Sequence, residues 1–139
     1  MNIIKNIPVE GSNNRLMGTD VFFLQENKHA PVIIYVHGFN GFKDWANFDL
    51  MAIQFANAGY CFIKMNLSHN GTTLENPTEF SDPEAFGMNN YSIELFDVQQ
   101  IINWACNPSN PYADAIDLAR VALLGHSRGG GIAILKAFQ

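Results

Sequence analysis

The stretch Arg120-Val-Ala-Leu-Leu-Gly-His-Ser-Arg-Gly-Gly-Gly131 decides the fold of this chain. Arg120–Leu124 reads as a short buried strand, and Arg128–Phe138 as a helix carrying isoleucine and alanine. Between them Gly125-His126-Ser127-Arg128-Gly129 has the form G-x-S-x-G. That pattern is weak alone. Its flanks make it specific, because strand, tight turn and helix are the setting a nucleophile elbow demands. Gly125 and Gly129 allow a turn too sharp for a Cβ at either flank, and the serine between them is held in strained geometry that pushes Oγ outward. The backbone N–H of Arg128 then faces the same space.

Upstream, the same alternation of strand and helix repeats. Ile3–Val9 and Thr19–Leu24 are strand candidates separated by a turn-like Gly-Ser-Asn-Asn at 11–14. Val32–Val36 is a continuous apolar run, as expected of a strand buried on both faces. From Trp45 to Ala58 the spacing becomes helical, with Asp44 placed as N-cap and Gly59 as the residue after the end. Tyr60–Met65 is the next buried strand, and a long loop follows. A second amphipathic helix starts near Ser92, with Leu95, Val98, Ile101, Ile102 and Ala105 on its apolar face and Asn107-Pro108 closing it. This order predicts an α/β fold: a doubly wound, mostly parallel sheet with helices on both faces. Ligands of such sheets sit beyond the carboxyl ends of the strands. Chemistry is therefore sought at His37-Gly-Phe, Asn66-Leu-Ser-His-Asn-Gly and Gly125-His-Ser-Arg-Gly.

Composition narrows the function classes. With 47% hydrophobic and 15% charged residues the chain is globular rather than disordered. Its length allows one domain, taken as residues 1–139. The net charge of -5 is spread out and no Lys/Arg cluster exists, which argues against nucleic acid. No apolar run approaches the ~20 residues of a membrane span. Cys61 and Cys106 match no metal or redox spacing, and read as reduced thiols of a cytoplasmic protein. The four histidines show no metal spacing, and Gly125–Gly131 fails both phosphate-loop patterns because Gly131 stands where a lysine is needed. No metal or cofactor is expected.

His37-Gly-Phe-Asn-Gly-Phe-Lys-Asp-Trp45, Asn66-Leu-Ser-His-Asn-Gly71 and Gly125-His-Ser-Arg-Gly-Gly130, in that order, resemble the α/β-hydrolase superfamily. More narrowly they resemble its bacterial esterases and its prolyl-oligopeptidase-like or dienelactone-hydrolase-like members, over the N-terminal portion only. The resemblance implies a serine hydrolase of ester or amide bonds in a small-molecule ester or peptide. Ser127 would be the nucleophile, and the backbone N–H groups of Phe39 and Arg128 the oxyanion hole. His37, Gly38, Gly125, His126 and Gly129 would shape the supporting turns. In that family the acid and base follow the serine along the chain. Residues 128–139 contain no Asp, Glu or His, which implies an incomplete domain, inactive alone. A non-catalytic binding or scaffold protein on the same fold is the alternative.

None of the upstream histidines replaces the base. His126 adjoins Ser127 in a tight turn where neighbouring side chains diverge, His37 is expected to hydrogen-bond its loop into shape, His69 is a freer loop residue, and His29 carries no signal. Glu75, Glu79, Asp82, Glu84, Glu94 and Asp97 are expected to solvate a loop and a helix face. Phe80, Phe86 and Tyr91 either line a substrate pocket or pack their loop onto the domain. Finally, the strand Arg120–Leu124 is expected to have an unpaired apolar edge, inviting self-association.

Overall fold

The two apolar runs expected to be buried on both faces lie side by side at the centre of a single sheet. In the computed structural model, which describes residues 1–139, strands β1 (Asn2–Glu10), β2 (Leu16–Phe23), β3 (Ala30–Val36), β4 (Cys61–Met65) and β5 (Ile116–Gly125) are ordered β1-β2-β4-β3-β5. β3 pairs in parallel with β4 and β5, whereas β1 and β2 form an antiparallel hairpin that adds to β4 antiparallel. The sheet is therefore mixed, its parallel part being the half that carries the crossovers. The alternation of side chains along β3 explains its unbroken apolar run. Val32, Ile34 and Val36 face one layer with Cys61, Ile63 and Met65, while Ile33 and Tyr35 face the other with Phe62.

Helices cover both faces. α1 (Phe48–Asn57) lays Ala52 and Ala56 on the Ile33–Phe62 face. α3 (Tyr91–Ala105) and α4 (Arg128–Ala137) cover the opposite face with Val98, Ile101, Ala105 and Ile132. α3 starts at Asn90, whose side chain accepts from the Ile93 N–H at 2.9 Å. The loop after β4 contains one short helix, α2 (Pro83–Gly87), capped by Asp82 accepting from the Ala85 N–H. Gly59, at φ +101°, ends α1 as expected.

Three expectations change here. The helix starts at Phe48 rather than Trp45, and its N-cap is Asn47, not Asp44; the Asp44 carboxylate is instead committed to lysines, described below. Glu94 and Asp97 are buried rather than solvating a helix face. β5 starts earlier than expected, at Ile116, and pairs only with β3, so its other edge is free. Beside that edge runs an apolar groove formed by Val121, Leu123, Ala133 and Ile134.

Candidate active site

Val36 and Gly125 are register partners at the carboxyl ends of β3 and β5, so the loops leaving them start side by side. The His126 N–H donates to Val36 O at 3.1 Å and ties the second loop to the first strand. Ser127 sits at φ 55°, ψ -123°, a backbone state costing a non-glycine residue about 1–3 kcal/mol. A Cβ on Gly125 would lie 2.2 Å from Gly129 O, and one on Gly129 would lie 2.1 Å from Val36 O. The turn thus folds back on β3 with no space for a side chain at either flank. Ser127 is the N-cap residue of α4, yet its side chain makes no capping bond. Its hydroxyl is left exposed at the positive end of the helix.

The loop after β3 closes over this turn. A Cβ on Gly38 would lie 3.2 Å from Ser127 Cβ and 3.0 Å from His126 O. Only a bare backbone approaches the serine this closely. Asn40 at φ 53° and a Gly41 N–H to Gly38 O bond of 3.0 Å turn the loop back on itself. His37 is fully buried and fixes the start of the loop. Its Nε2 accepts from the Leu67 N–H at 3.1 Å, so the proton is assigned to Nδ1, which donates to Gly38 O at 2.9 Å. Burial holds the imidazole pKa down at about 4, despite the hydrogen bond to Gly38. His37 is a neutral strut between the Leu67 N–H and Gly38 O. Neither the Phe39 nor the Arg128 N–H donates to any acceptor within the chain.

The rest of this loop is held by residues distant in the sequence. Lys43 N–H donates to Asn66 Oδ1 at 2.7 Å, Asn70 Nδ2 to Gly41 O at 3.1 Å, and Lys64 Nζ to Lys43 O at 2.7 Å. Lys43, Lys64 and Asp20 are completely buried. Both ammonium groups lie 3.1 Å from Asp20, and Lys43 Nζ is 2.6 Å from Asp44. Lys5 reaches Asp44 at 2.9 Å and Asp49 at 2.5 Å from the edge of the cluster. Burial alone would raise the Asp44 carboxyl, but hydrogen bonds from Lys43 and Lys5 more than offset it and bring the pKa down to about 2. The carboxylates of Asp20, Asp44 and Asp49 lie within 4.8 Å of one another, close enough for a cation. Three lysine ammonium groups already take that place, leaving the cluster neutral. The legible signal was a lysine inside Cys61–Met65, a strand otherwise apolar on both faces, where a charge must have a buried partner.

The Arg128 side chain crosses to α3. Its Nε donates to Glu94 at 2.5 Å, and its guanidinium lies 4.2 Å from the centroid of the Tyr91 ring. Tyr91 therefore packs against the elbow's arginine instead of lining a pocket. Phe86 meets Phe80 edge-on and Phe39 at a tilt, at centroid distances of 5.2 and 5.4 Å. These aromatics pack the long loop onto the loop after β3, and the row they form reaches the serine. Ser127 opens into a cavity of about 240 Å³ bordered by Gly38, Phe39, Asn40, Trp45, Phe48 and His126.

His126 and His69 each have partners other than Ser127. His126 is exposed, its ring 6.3 Å from Trp45 and 6.2 Å from Phe48. His69 is buried rather than free, and burial lowers its pKa. It lies 3.1 Å from Asn13 Nδ2 and 2.6 Å from Ser68 Oγ, whose hydroxyl donates to Asp97 at 2.7 Å. Ser68, His69 and Asp97 have the composition of a catalytic triad but the wrong order, with serine between histidine and acid and no route to solvent. Asp97 also accepts from the N–H groups of Ser12 and Ser68, each at 2.8 Å. It ties two loops, at Ser12 and at Ser68, to α3. No histidine hydrogen-bonds Ser127.

The site is thus a strand–turn–helix from β5 to α4, with a strained serine at its tip beside the end of β3. Residues 31–137 match the alpha/beta hydrolase fold family, and the chain belongs to it. Similar solved structures include an esterase from Pyrobaculum calidifontis (17% identity, TM-score 0.71, covering 99% of this chain and 39% of that one). The thermophilic carboxylesterase EstE1, cloned from a metagenomic library, is similar at 14% identity and TM-score 0.71, covering 99% and 40%. A Klebsiella pneumoniae protein described as a dienelactone hydrolase shares 20% identity at TM-score 0.68, covering 99% and 55%. The chain thus spans 39 to 55% of the length of these structures. No curated protein sequence matches it. No helix is long and apolar enough to cross a membrane.

Proposed function

We propose that this chain contributes the nucleophile half of a serine hydrolase acting on carboxylic esters or amides of small molecules or peptides. The observation that carries the reading is Ser127 at φ 55°, uncapped and exposed, with the Gly38 backbone against it. Ser127 Oγ attacks the carbonyl carbon, and the oxygen that becomes anionic is held by the Phe39 and Arg128 amides. Each such donor is worth about 3 kcal/mol of transition-state stabilisation. The acid and the base come, on this reading, from polypeptide after residue 139, and residues 1–139 alone are inactive because a serine without its base is a poor nucleophile. A cytoplasmic setting, suggested by two unpaired thiols, and self-association through the free edge of β5 belong to the same proposal.

That no histidine reaches Ser127 favours one competing reading, a binding or scaffold protein on this fold. A fluorophosphonate separates the two. Residues 1–139 should label slowly, whereas a longer product of the same reading frame should label rapidly at Ser127, and its Ser127→Ala variant should not label. A longer product that ignores the reagent leaves the scaffold reading standing.

A further inference from the structure

The walls of the cavity at Ser127 differ from its floor. The floor is backbone and the neutral imidazole of His37. The walls are aromatic, from a cluster of Trp45, Phe48 and His126 and, separately, from Phe39, whose ring packs on Phe86 instead. No Asp, Glu, Lys or Arg side chain lines the space, although those of Lys43, Lys64, Asp20 and Asp44 belong to the cluster behind the same loop. Those charges are neutralised among themselves and turned inward. Phe39 is 67% exposed and Trp45 50% exposed, and both line the same cavity as the serine. Phe39 does not stand free, since Phe86 and then Phe80 support it from behind. A supported ring left in water beside a polar turn is a surface without its partner.

Resting on the reading of Ser127 as nucleophile, we infer that the site selects an uncharged, flat aromatic group next to the reacting carbonyl, held between the Phe39 and Trp45 sides. Size agrees with this. A cavity of about 150 Å³ accepts benzene, and 240 Å³ leaves space for one ring together with an ester group. Tilted and edge-on ring pairs gain about 0.5–1.5 kcal/mol beyond their buried area, which a saturated ring of equal size does not recover. A carboxylate on the distal edge of the ring would enter a space without a cation to pair with it and is selected against.

The test uses residues 1–139 carrying Ser127→Ala, which removes turnover. Binding is followed by NMR at the Trp45 indole N–H and the Phe39 amide. Methyl benzoate, methyl cyclohexanecarboxylate and the singly charged monomethyl terephthalate are titrated separately. The aryl ester should bind at least about threefold more tightly than its saturated counterpart, and the charged ester at least about tenfold more weakly than methyl benzoate. Phe39→Leu keeps an exposed apolar side chain and should bring the first two affinities together. Equal affinities in the parent chain, a preference that survives Phe39→Leu, tight binding of the charged ester, or no saturable shift at Trp45 would each overturn the inference. Failure of the hydrolase reading is distinguishable: an aryl preference intact in a protein whose Ser127 never takes up fluorophosphonate leaves a binding site without chemistry.

Discussion

The two loops that meet at Ser127 are held by opposite means. The elbow at Gly125–Gly129 is fixed by close approach of backbone to backbone. The loop at Gly38–Trp45 is fixed from behind by a buried cluster of lysines and aspartates drawn from β1, β2, β4 and the loop itself. A steric device is local, so it leaves a five-residue signature. An electrostatic device is long-range, so it leaves only isolated charges in strands. The contrast predicts that the elbow fails by expansion and the loop by loss of a counter-charge.

The largest effect is expected at Gly129. A Cβ there would meet Val36 O at 2.1 Å and His37 O at 2.3 Å, both main-chain atoms that cannot rotate aside. Gly129→Ala should cost at least about 4 kcal/mol, since β3 and α4 must separate. Urea denaturation reads this directly, and a cost under about 1 kcal/mol would mean the turn is not packed this way. Gly130 has no such neighbour, so Gly130→Ala is the control and should be close to neutral.

Lys64→Met is the counterpart in the other loop. Its hydrophobic volume fits the strand, but it removes the donor to Lys43 O and leaves the cluster with one excess negative charge. Removing one member of a buried ion pair costs about 3–5 kcal/mol. Lys43 still faces Asp20 here, so about 3 kcal/mol is expected. The location of the damage matters more than its size. Hydrogen exchange should quicken at residues 38–45 and remain slow at 129–133; uniform loosening would refute the division between the two devices.

The α/β class and the elbow were legible because their determinants are close in sequence: Val32–Val36 is an unbroken apolar run, and Gly125–Gly129 states its own turn. The ion cluster was not, because Asp20 meets Lys64 only through the β2–β4 pairing. Asp44 looked like a cap for the helix after it, yet the chain turns once more, with Ala46 at φ 52°, before α1 begins at Phe48. Glu94 and Asp97 were misread for a different reason. Acidic residues were assigned to solvent by type, although 94, 97, 98, 101 and 105 fall on one helical stripe with the buried Val98, Ile101 and Ala105. Periodicity already placed them inside. Tyr91 was missed as a partner of Arg128 because that contact joins two helices whose packing no local pattern specifies.

Acid should test how His37 joins the two loops. Its folded pKa of about 4 lies below the ordinary 6.5 because burial penalises the imidazolium. Below pH 6.5 the unfolded chain binds this proton and the folded chain does not, so stability is lost as pH falls from 6.5 to about 4 and levels out below that. The loss approaches roughly 3 kcal/mol across the window. His69, also lowered by burial, adds in the same direction. His37→Asn should therefore reduce the slope of stability against pH without abolishing it. An unchanged slope would mean that His37 is charged in the folded state.

The smallest effect concerns a side chain that belongs to neither device. Tyr35 follows the apolar logic of β3, with its ring 4.8 Å from Phe48 and 6.2 Å from Phe62. Its hydroxyl, however, is buried without a hydrogen-bond partner, and burial pushes the phenol pKa up to about 12. An unpaired buried hydroxyl carries a desolvation cost of about 1–3 kcal/mol, part of which is recovered when the group is removed and the ring kept. Tyr35→Phe should therefore stabilise the chain by about 1 kcal/mol, read as a higher urea midpoint with an unchanged m-value. Because Phe48 borders the serine cavity from the same layer, the substitution should leave methyl benzoate binding untouched. A destabilising Tyr35→Phe would reveal that the hydroxyl has a partner, and that the layer beneath Phe48 is polar rather than dry.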